Sequence, residues 1–264
     1  MPSPIRSTFA RVGAWRVHAL RATPAAPMAP DASAPPVVLV HGYVISARYM
    51  RPVLARIGRE VDCWAPDLPG HGRSATPAQA LDVPGYADAL VAWMDAVGLA
   101  RALLVGHSLG CQVVAHVAVR HPGRVAGLVL VGPTVDARAR SAGAQAWRLV
   151  RDAFHERFSL WLLELMDIIR VGPRRMVAMA RATLEDRIEA VLPAVRAPVR
   201  VVYGEHDPLV PPGWAARVAA LAQAPPPTVV LEAAHGVNYD APGELAAIVL
   251  RFAHELRAGV AQPP

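Results

Sequence analysis

A mostly parallel β-sheet covered on both faces by helices is the α/β architecture this sequence predicts, and two observations carry it. Short apolar runs recur at Val37 to Val40, Val61 to Ala65, Ala102 to Val105, Val125 to Val131, Val199 to Tyr203 and Thr228 to Leu231, alternating with helical patterns. Strands that are apolar at every position are buried on both sides, as happens when crossover helices cover a parallel sheet. The second observation is a serine, Ser108, at the junction of one such strand and a helix, framed by Gly106 and Gly110.

Taken in order, residues 5–21 read as two strands around a turn at Gly13, with Trp15, Val17 and Ala19 alternating against Arg16 and His18. Residues 22–36 carry Pro24, Pro27, Pro30, Pro35 and Pro36 among alanines and read as an exposed, semi-extended loop. Prolines then open helices near Pro84, Pro212 and Pro242. Between Pro133 and Pro198 no strand is predicted. Trp147, Val150, Phe154, Phe158, Trp161, Leu165 and Ile168 recur there at helical spacing, and a second helical stretch with Met176, Met179 and Leu184 follows Pro173. The extra apolar residues Leu160, Leu162, Leu163, Met166 and Ile169 make the stripe wider than one buried face needs. Two readings follow: an ordinary helical insertion filling its own core, or a lid whose second apolar face lines a substrate pocket, with Trp161 and Met166 as candidate pocket residues. No internal repeat is present.

Composition narrows the function. All 27 basic residues among the 264 are arginine, so chemistry that needs a lysine amine is excluded: Schiff-base catalysis, Gly-Lys-Ser/Thr phosphate loops, kinases and Ser-Lys hydrolysis. Two cysteines, Cys63 and Cys111, build no four-thiolate metal site and allow at most one disulfide, so no metal or other cofactor is expected. A net charge of +6 raises the question of a polyanionic partner, but the arginines are scattered without a run or interleaved aromatics, and no nucleic acid is expected. From Ala102 to Val119 the chain runs 18 residues without a charge, yet Gly106, His107, Ser108, Gly110, Gln112 and His116 interrupt it. A buried strand turning into a buried helix accommodates them, so no membrane association is expected. The N-terminus shows Arg6 without a following apolar stretch, and a soluble cytoplasmic protein of about one domain is the expectation.

The strand ending at Val105 is followed by Gly106-His107-Ser108-Leu109-Gly110 and then a helical pattern from Cys111 to Arg120. A serine on so sharp a strand-to-helix turn presents its hydroxyl at the carboxyl edge of the sheet, which marks Ser108 as a nucleophile. A hydroxyl needs a base. Of ten histidines, His235 lies in a loop after the strand at Val229 and before a helix near Pro242, at the same sheet edge; His107 is expected to point away, and His254 to sit on a helix surface. The carboxylate that orients the base is expected from the end of Val199 to Tyr203, where Asp207 precedes Pro208; Glu205 and Asp136 are the alternatives. Oxyanion donors are expected from the backbone N–H groups of Leu109 and Tyr43, with His41 holding the His41-Gly42-Tyr43 loop.

Those segments, with Asp67-Leu68-Pro69-Gly70-His71-Gly72-Arg73-Ser74, Gly204-x-x-Asp207 and His235-Gly236 in this order, resemble the α/β-hydrolase superfamily over nearly the whole chain. The resemblance implies the α/β-hydrolase fold, a core of residues 1–133 and 196–264, and a helical cap at 134–195. It implies supporting roles for His71 and Ser74. It points to a carboxylesterase-like serine hydrolase with a Ser108, Asp207, His235 triad acting on a small-molecule ester with an apolar acyl or alcohol part. The same triad serves carbon–carbon bond hydrolases, lactonases and acyltransferases, and a ligand-binding receptor with low turnover is the rival outside catalysis. A carbon–carbon hydrolase needs a buried basic group to bind its substrate's carboxylate, for which the cap arginines Arg148, Arg174 and Arg175 are candidates. The physiological ester and the oligomeric state are not legible.

Overall fold

The structure, a computed structural model, describes residues 4–25, 34–153 and 158–259; the side chains of helix residues 153, 158, 159 and 161–163 lie outside that description. Strands β1 (Arg6–Val12) and β2 (Trp15–Ala22) pair as an antiparallel hairpin and lead into β3 (Val37–Val40), helix α1 (Arg51–Ile57), β4 (Cys63–Pro66) and α2 (Val83–Ala96). Then come β5 (Ala102–His107), α3 (Leu109–Arg120), β6 (Val125–Val131) and four helices: α4 (Ala142–Ala153), α5 (Phe158–Val171), α6 (Pro173–Glu185) and α7 (Ile188–Val191). The chain closes through β7 (Val199–Gly204), α8 (Pro212–Leu221), β8 (Thr228–Val230), α9 (Val237–Asp240) and α10 (Pro242–Arg257). Eight strands form one sheet in the order β1-β2-β4-β3-β5-β6-β7-β8. Every pairing from β4 through β8 is parallel, and only β1 and β2 run against their neighbours.

The apolar strands explain the layering. Leu104, Leu128 and Leu130 face one buried cluster with Trp93 and Val113, while Leu103, Val129 and Val131 face another with Ile57 and Phe252. Successive side chains therefore point into opposite cores, which is why these strands read as unbroken apolar runs. Parallel order also gathers the ends of β3, β5, β6, β7 and β8 at one sheet edge, the place where sites form in such sheets. Among the described residues, no helix is long and apolar enough to cross a membrane.

Three expectations shift. The strand expected from Val61 begins at Cys63, because the Val61 N–H closes the turn after α1 on the Ile57 carbonyl at 3.1 Å. The periodic stretch from Trp147 to Ile169 falls on two helices, α4 and α5; Phe154 lies outside the described residues. His18, read as part of a polar face, is 2% exposed, and its Nδ1 lies 2.7 Å from Asp67 Oδ2. The loop that follows β4 folds back over β2 and covers it: the Asp67 N–H donates to His18 O, and Ser74 Oγ accepts the His18 N–H at 2.9 Å.

Asp67 ties this corner together. Its carboxylate also accepts the N–H groups of Ala47, at 2.7 Å, and Arg73, at 2.8 Å. Burial alone would raise its pKa, but the His18 hydrogen bond and the two N–H donors outweigh burial and hold it below the usual carboxylate value. Its contribution to stability is therefore complete above the unfolded carboxyl pKa and lost as pH falls through the lower folded value. Asp67→Ala, leaving three donors without their acceptor, two of them buried, is expected to cost about 3–5 kcal/mol in urea unfolding at pH 7. The difference from the parent protein should narrow as the pH is lowered toward 3; a gap that stays constant would show that the carboxylate charge contributes nothing.

Candidate active site

Ser108 follows the last residue of β5 and precedes the first of α3, with φ 54° and ψ −121°. A non-glycine residue rarely adopts this conformation, and it holds here because its neighbours leave no alternative. The Ser108 N–H donates to Val131 O at 2.9 Å, and Cβ atoms built at Gly106 and Gly110 would strike the carbonyls of Gly110 and of Val40 and His41. The β3 loop presses on the serine itself: a Cβ at Gly42 would stand 3.0 Å from Ser108 Cβ. His41 fixes that loop, its Nδ1 on the Gly42 carbonyl at 3.0 Å and its Nε2 accepting the Leu68 N–H at 3.0 Å. Burial lowers the His41 pKa and keeps the ring neutral, as an accepting Nε2 requires.

His235 and Asp207 meet at the same sheet edge. His235 Nδ1 lies 2.8 Å from Asp207 Oδ2. The other carboxylate oxygen accepts the N–H groups of Leu209, at 2.8 Å, and Val210, at 3.1 Å, so both oxygens are fixed. The two alternative acids are placed elsewhere. Glu205 accepts the Glu232 N–H at 3.1 Å, and Asp136 pairs with Arg148 at 2.9 Å. His254 is half-exposed on α10, 3.6 Å from Glu60. His107 does not point away from the site: its Nε2 lies 3.0 Å from the His235 carbonyl and its ring 4.9 Å from the His235 ring. Burial and the neighbouring His235 push its pKa down to about 3, so it is a neutral prop that donates to that carbonyl.

Ser108 opens on two cavities. One, of about 270 Å³, is lined by Ser108, His235, Tyr43, Asp152, Glu164 and Ile168, among others. The other, of about 220 Å³, is lined by Ser108 with Val135, Ala146, Leu149, Ala180 and Leu184 among its apolar walls. Tyr43, Ser108 and Leu149 line both. Among the described residues, no protein group accepts the N–H of Tyr43 or of Leu109, the two amides expected to serve an oxyanion. Tyr43 also reaches α6, where its hydroxyl donates to the Met176 carbonyl at 2.9 Å.

The expected pocket residues fare differently. Met166 is 48% exposed and lines neither cavity at Ser108; on α5 it is Glu164 and Ile168 that line the larger one. The side chain of Trp161 lies outside the described residues. Asp152 and Glu164 are site residues that sequence reasoning missed. Asp152 is buried and accepts the backbone N–H of His235 at 3.0 Å, tying α4 to the histidine loop. Burial, with Asp152 adding to it and His235 opposing, lifts the Glu164 carboxyl to about 7. Among the described residues there is no group of three metal-ligating side chains.

A serine elbow at the carboxyl edge of a parallel sheet, with a histidine and an acid from later strand ends, defines the α/β hydrolases as a class. The model of the alpha/beta hydrolase family matches residues 37–248, and the chain belongs to that family. It is 36% identical over 123 residues to epoxide hydrolase A of Mycobacterium tuberculosis, a stretch covering 45% of this chain and 38% of that relative's length. Thus the chain spans less than two-fifths of that curated relative. Among solved structures it resembles a membrane phospholipase A described as a bacterial virulence factor, with TM-score 0.79, 19% identity and coverage of 96% of this chain and 87% of that one. It also resembles a thermophilic esterase from Thermogutta terrifontis, with TM-score 0.78, 19% identity and coverage of 96% and 99%.

Proposed function

We propose that the protein is a cofactor-independent serine hydrolase of carboxylic esters with an apolar acyl part, acting through an acyl-enzyme. The observation that carries this reading is the 2.8 Å pair of His235 Nδ1 with Asp207, formed where His235 and Ser108 line one cavity. With Nδ1–H given to Asp207, Nε2 is the basic nitrogen and takes the Ser108 proton as Oγ attacks the acyl carbon. The amides of Tyr43 and Leu109 receive the developing oxyanion, each worth about 3–4 kcal/mol of barrier. The protonated imidazole then delivers its proton to the departing alkoxide, and a water activated by the same nitrogen cleaves the acyl-enzyme.

In this reading the helical interval 134–195 is a cap. Helices α4 and α6 supply walls of both cavities and α5 walls the larger one, while the ends of the sheet strands and the loops after them supply the serine, histidine and acid. Carbon–carbon bond hydrolysis is less well supported, because the candidate cations are engaged away from the serine. Arg148 bonds Asp136 and the Leu209 carbonyl, Arg175 bonds the Pro77 carbonyl, and Arg174 is exposed.

A fluorophosphonate probe and a series of p-nitrophenyl esters from acetate to decanoate test the proposal: labelling of Ser108 and turnover of at least one ester are expected, and neither occurring would overturn it. Chain-length preference tests the cap. Ala180→Leu places three further carbons in the apolar cavity, displacing about that many methylenes of acyl chain at roughly 0.8 kcal/mol each. A kcat/KM loss of roughly tenfold or more on the octanoate, with the acetate little changed, is expected. Equal losses on both esters would mean that the acyl chain does not enter this cavity.

A further inference from the structure

We propose that Glu164 is a specificity-determining residue that recognises an ammonium group on the alcohol part of the substrate, which makes amino-alcohol esters of apolar acids the preferred class. The inference rests on the assignment of Ser108 and His235 made above. The two cavities at Ser108 differ in chemistry, and the difference sorts the two halves of an ester. His235 must hand a proton to the departing alkoxide, so the alcohol lies on the side that His235 lines, in the cavity of about 270 Å³. The acyl chain is left the apolar cavity of about 220 Å³, which His235 does not line.

The alcohol cavity has a carboxyl in its wall. Glu164 is half-buried there, and among the described residues no donor bonds its carboxyl. A bound alkyl alcohol would strip water from this group and give nothing back, whereas a cation repays that desolvation and a carboxylate-bearing alcohol is repelled. Several charged and titratable groups face it. From α4 comes Asp152, bonded to the His235 N–H, and from α5 itself comes Asp167, held by Arg48 at 2.6 Å and by the Ser46 hydroxyl at 2.6 Å. The end of β5 contributes His107 and the loop after β8 His235, and the phenols of Tyr43 and Tyr49 complete the wall. The Arg48 guanidinium is spent on Asp167 and places no cation in competition with the substrate's.

Because the Glu164 carboxyl titrates at about 7, ionisation converts it from a neutral group below that pH to an anion above it. Preference for a cation should therefore rise through neutral pH. The test compares choline butyrate with 3,3-dimethylbutyl butyrate, two esters of one shape in which a quaternary nitrogen replaces a quaternary carbon. Ionisation of His235 affects both equally and cancels in the ratio of their kcat/KM values. From pH 6 to pH 8.5 that ratio is expected to rise by roughly tenfold. In Glu164→Gln and Glu164→Met the rise should vanish. A ratio that is flat in the parent protein, or a rise that persists in both variants, overturns the proposal. If the neutral ester is cleaved at Ser108 while the ratio stays flat, only this inference fails. If neither ester is cleaved and Ser108 resists the fluorophosphonate, the hydrolase reading fails with it.

Discussion

Ser108→Ala is expected to abolish labelling by a fluorophosphonate and to lower ester turnover by about five orders of magnitude or more. No second hydroxyl replaces it: Thr134 Oγ1 lies 3.4 Å from Ser108 Oγ, but the pair of His235 and Asp207 is built against the serine elbow. In the proposed mechanism the residual rate reports the Tyr43 and Leu109 amides and binding alone. Stability gives a second readout. Alanine keeps a Cβ at φ 54° and removes one long hydroxyl contact, so unfolding should change by less than about 0.5 kcal/mol. Glycine at the same position releases the backbone strain, and Ser108→Gly should be more stable than the parent by about 1 kcal/mol while equally inactive. An inactive but stabilised glycine variant would mark the strain as retained for function. Retained labelling in Ser108→Ala would place the nucleophile elsewhere.

How much of this was legible in the sequence depends on whether a residue's surroundings are set by its neighbours in the chain. The central strands were legible because burial on both faces leaves an unbroken apolar run, and Ser108 was legible because Gly106 and Gly110 flank it at the junction of a strand with a helix. That Asp207 rather than Glu205 meets His235 also had a local cause: the carboxylate bonds the N–H groups two and three residues ahead, the turn that the following proline suggests. His18 was not legible, since its partner Asp67 lies 49 positions away on a loop that folds back. The inward face of α5 was hidden for a different reason. Apolar residues surround that helix, so periodicity gives no direction. Glu164 and Ile168 are four apart and share one face, while Met166, two positions from each, is turned about 200° from either. A lone glutamate among leucines reads as the solvent side; here it marks the cavity.

Asp207→Asn is expected to leave the fold intact and to lower kcat by about 10⁴. The side-chain amide oxygen of asparagine accepts the Leu209 and Val210 N–H groups as the carboxylate does, so the loop keeps its shape. The amide nitrogen then faces His235 Nδ1, which must become an acceptor. The imidazole proton moves to Nε2, the nitrogen required to be basic, and the imidazolium formed during attack loses its compensating charge. Asp207→Ala separates these effects: it removes the tautomer lock and the two turn bonds together, and should lose about 1–3 kcal/mol of stability in addition to the activity. Glu205→Gln should retain activity, because among the described residues that carboxylate bonds the Glu232 N–H and not His235. Asp136→Asn disturbs Arg148, and with it the seating of α4 against the Leu209 loop, so it should raise KM for long-chain esters more than it lowers kcat. Kinetics of the four variants on a short and a long ester, alongside their urea unfolding, check all of this. Full activity in Asp207→Asn would assign the orienting acid to another residue, and a stable Asp207→Ala would show that the turn stands without the two bonds the carboxylate accepts.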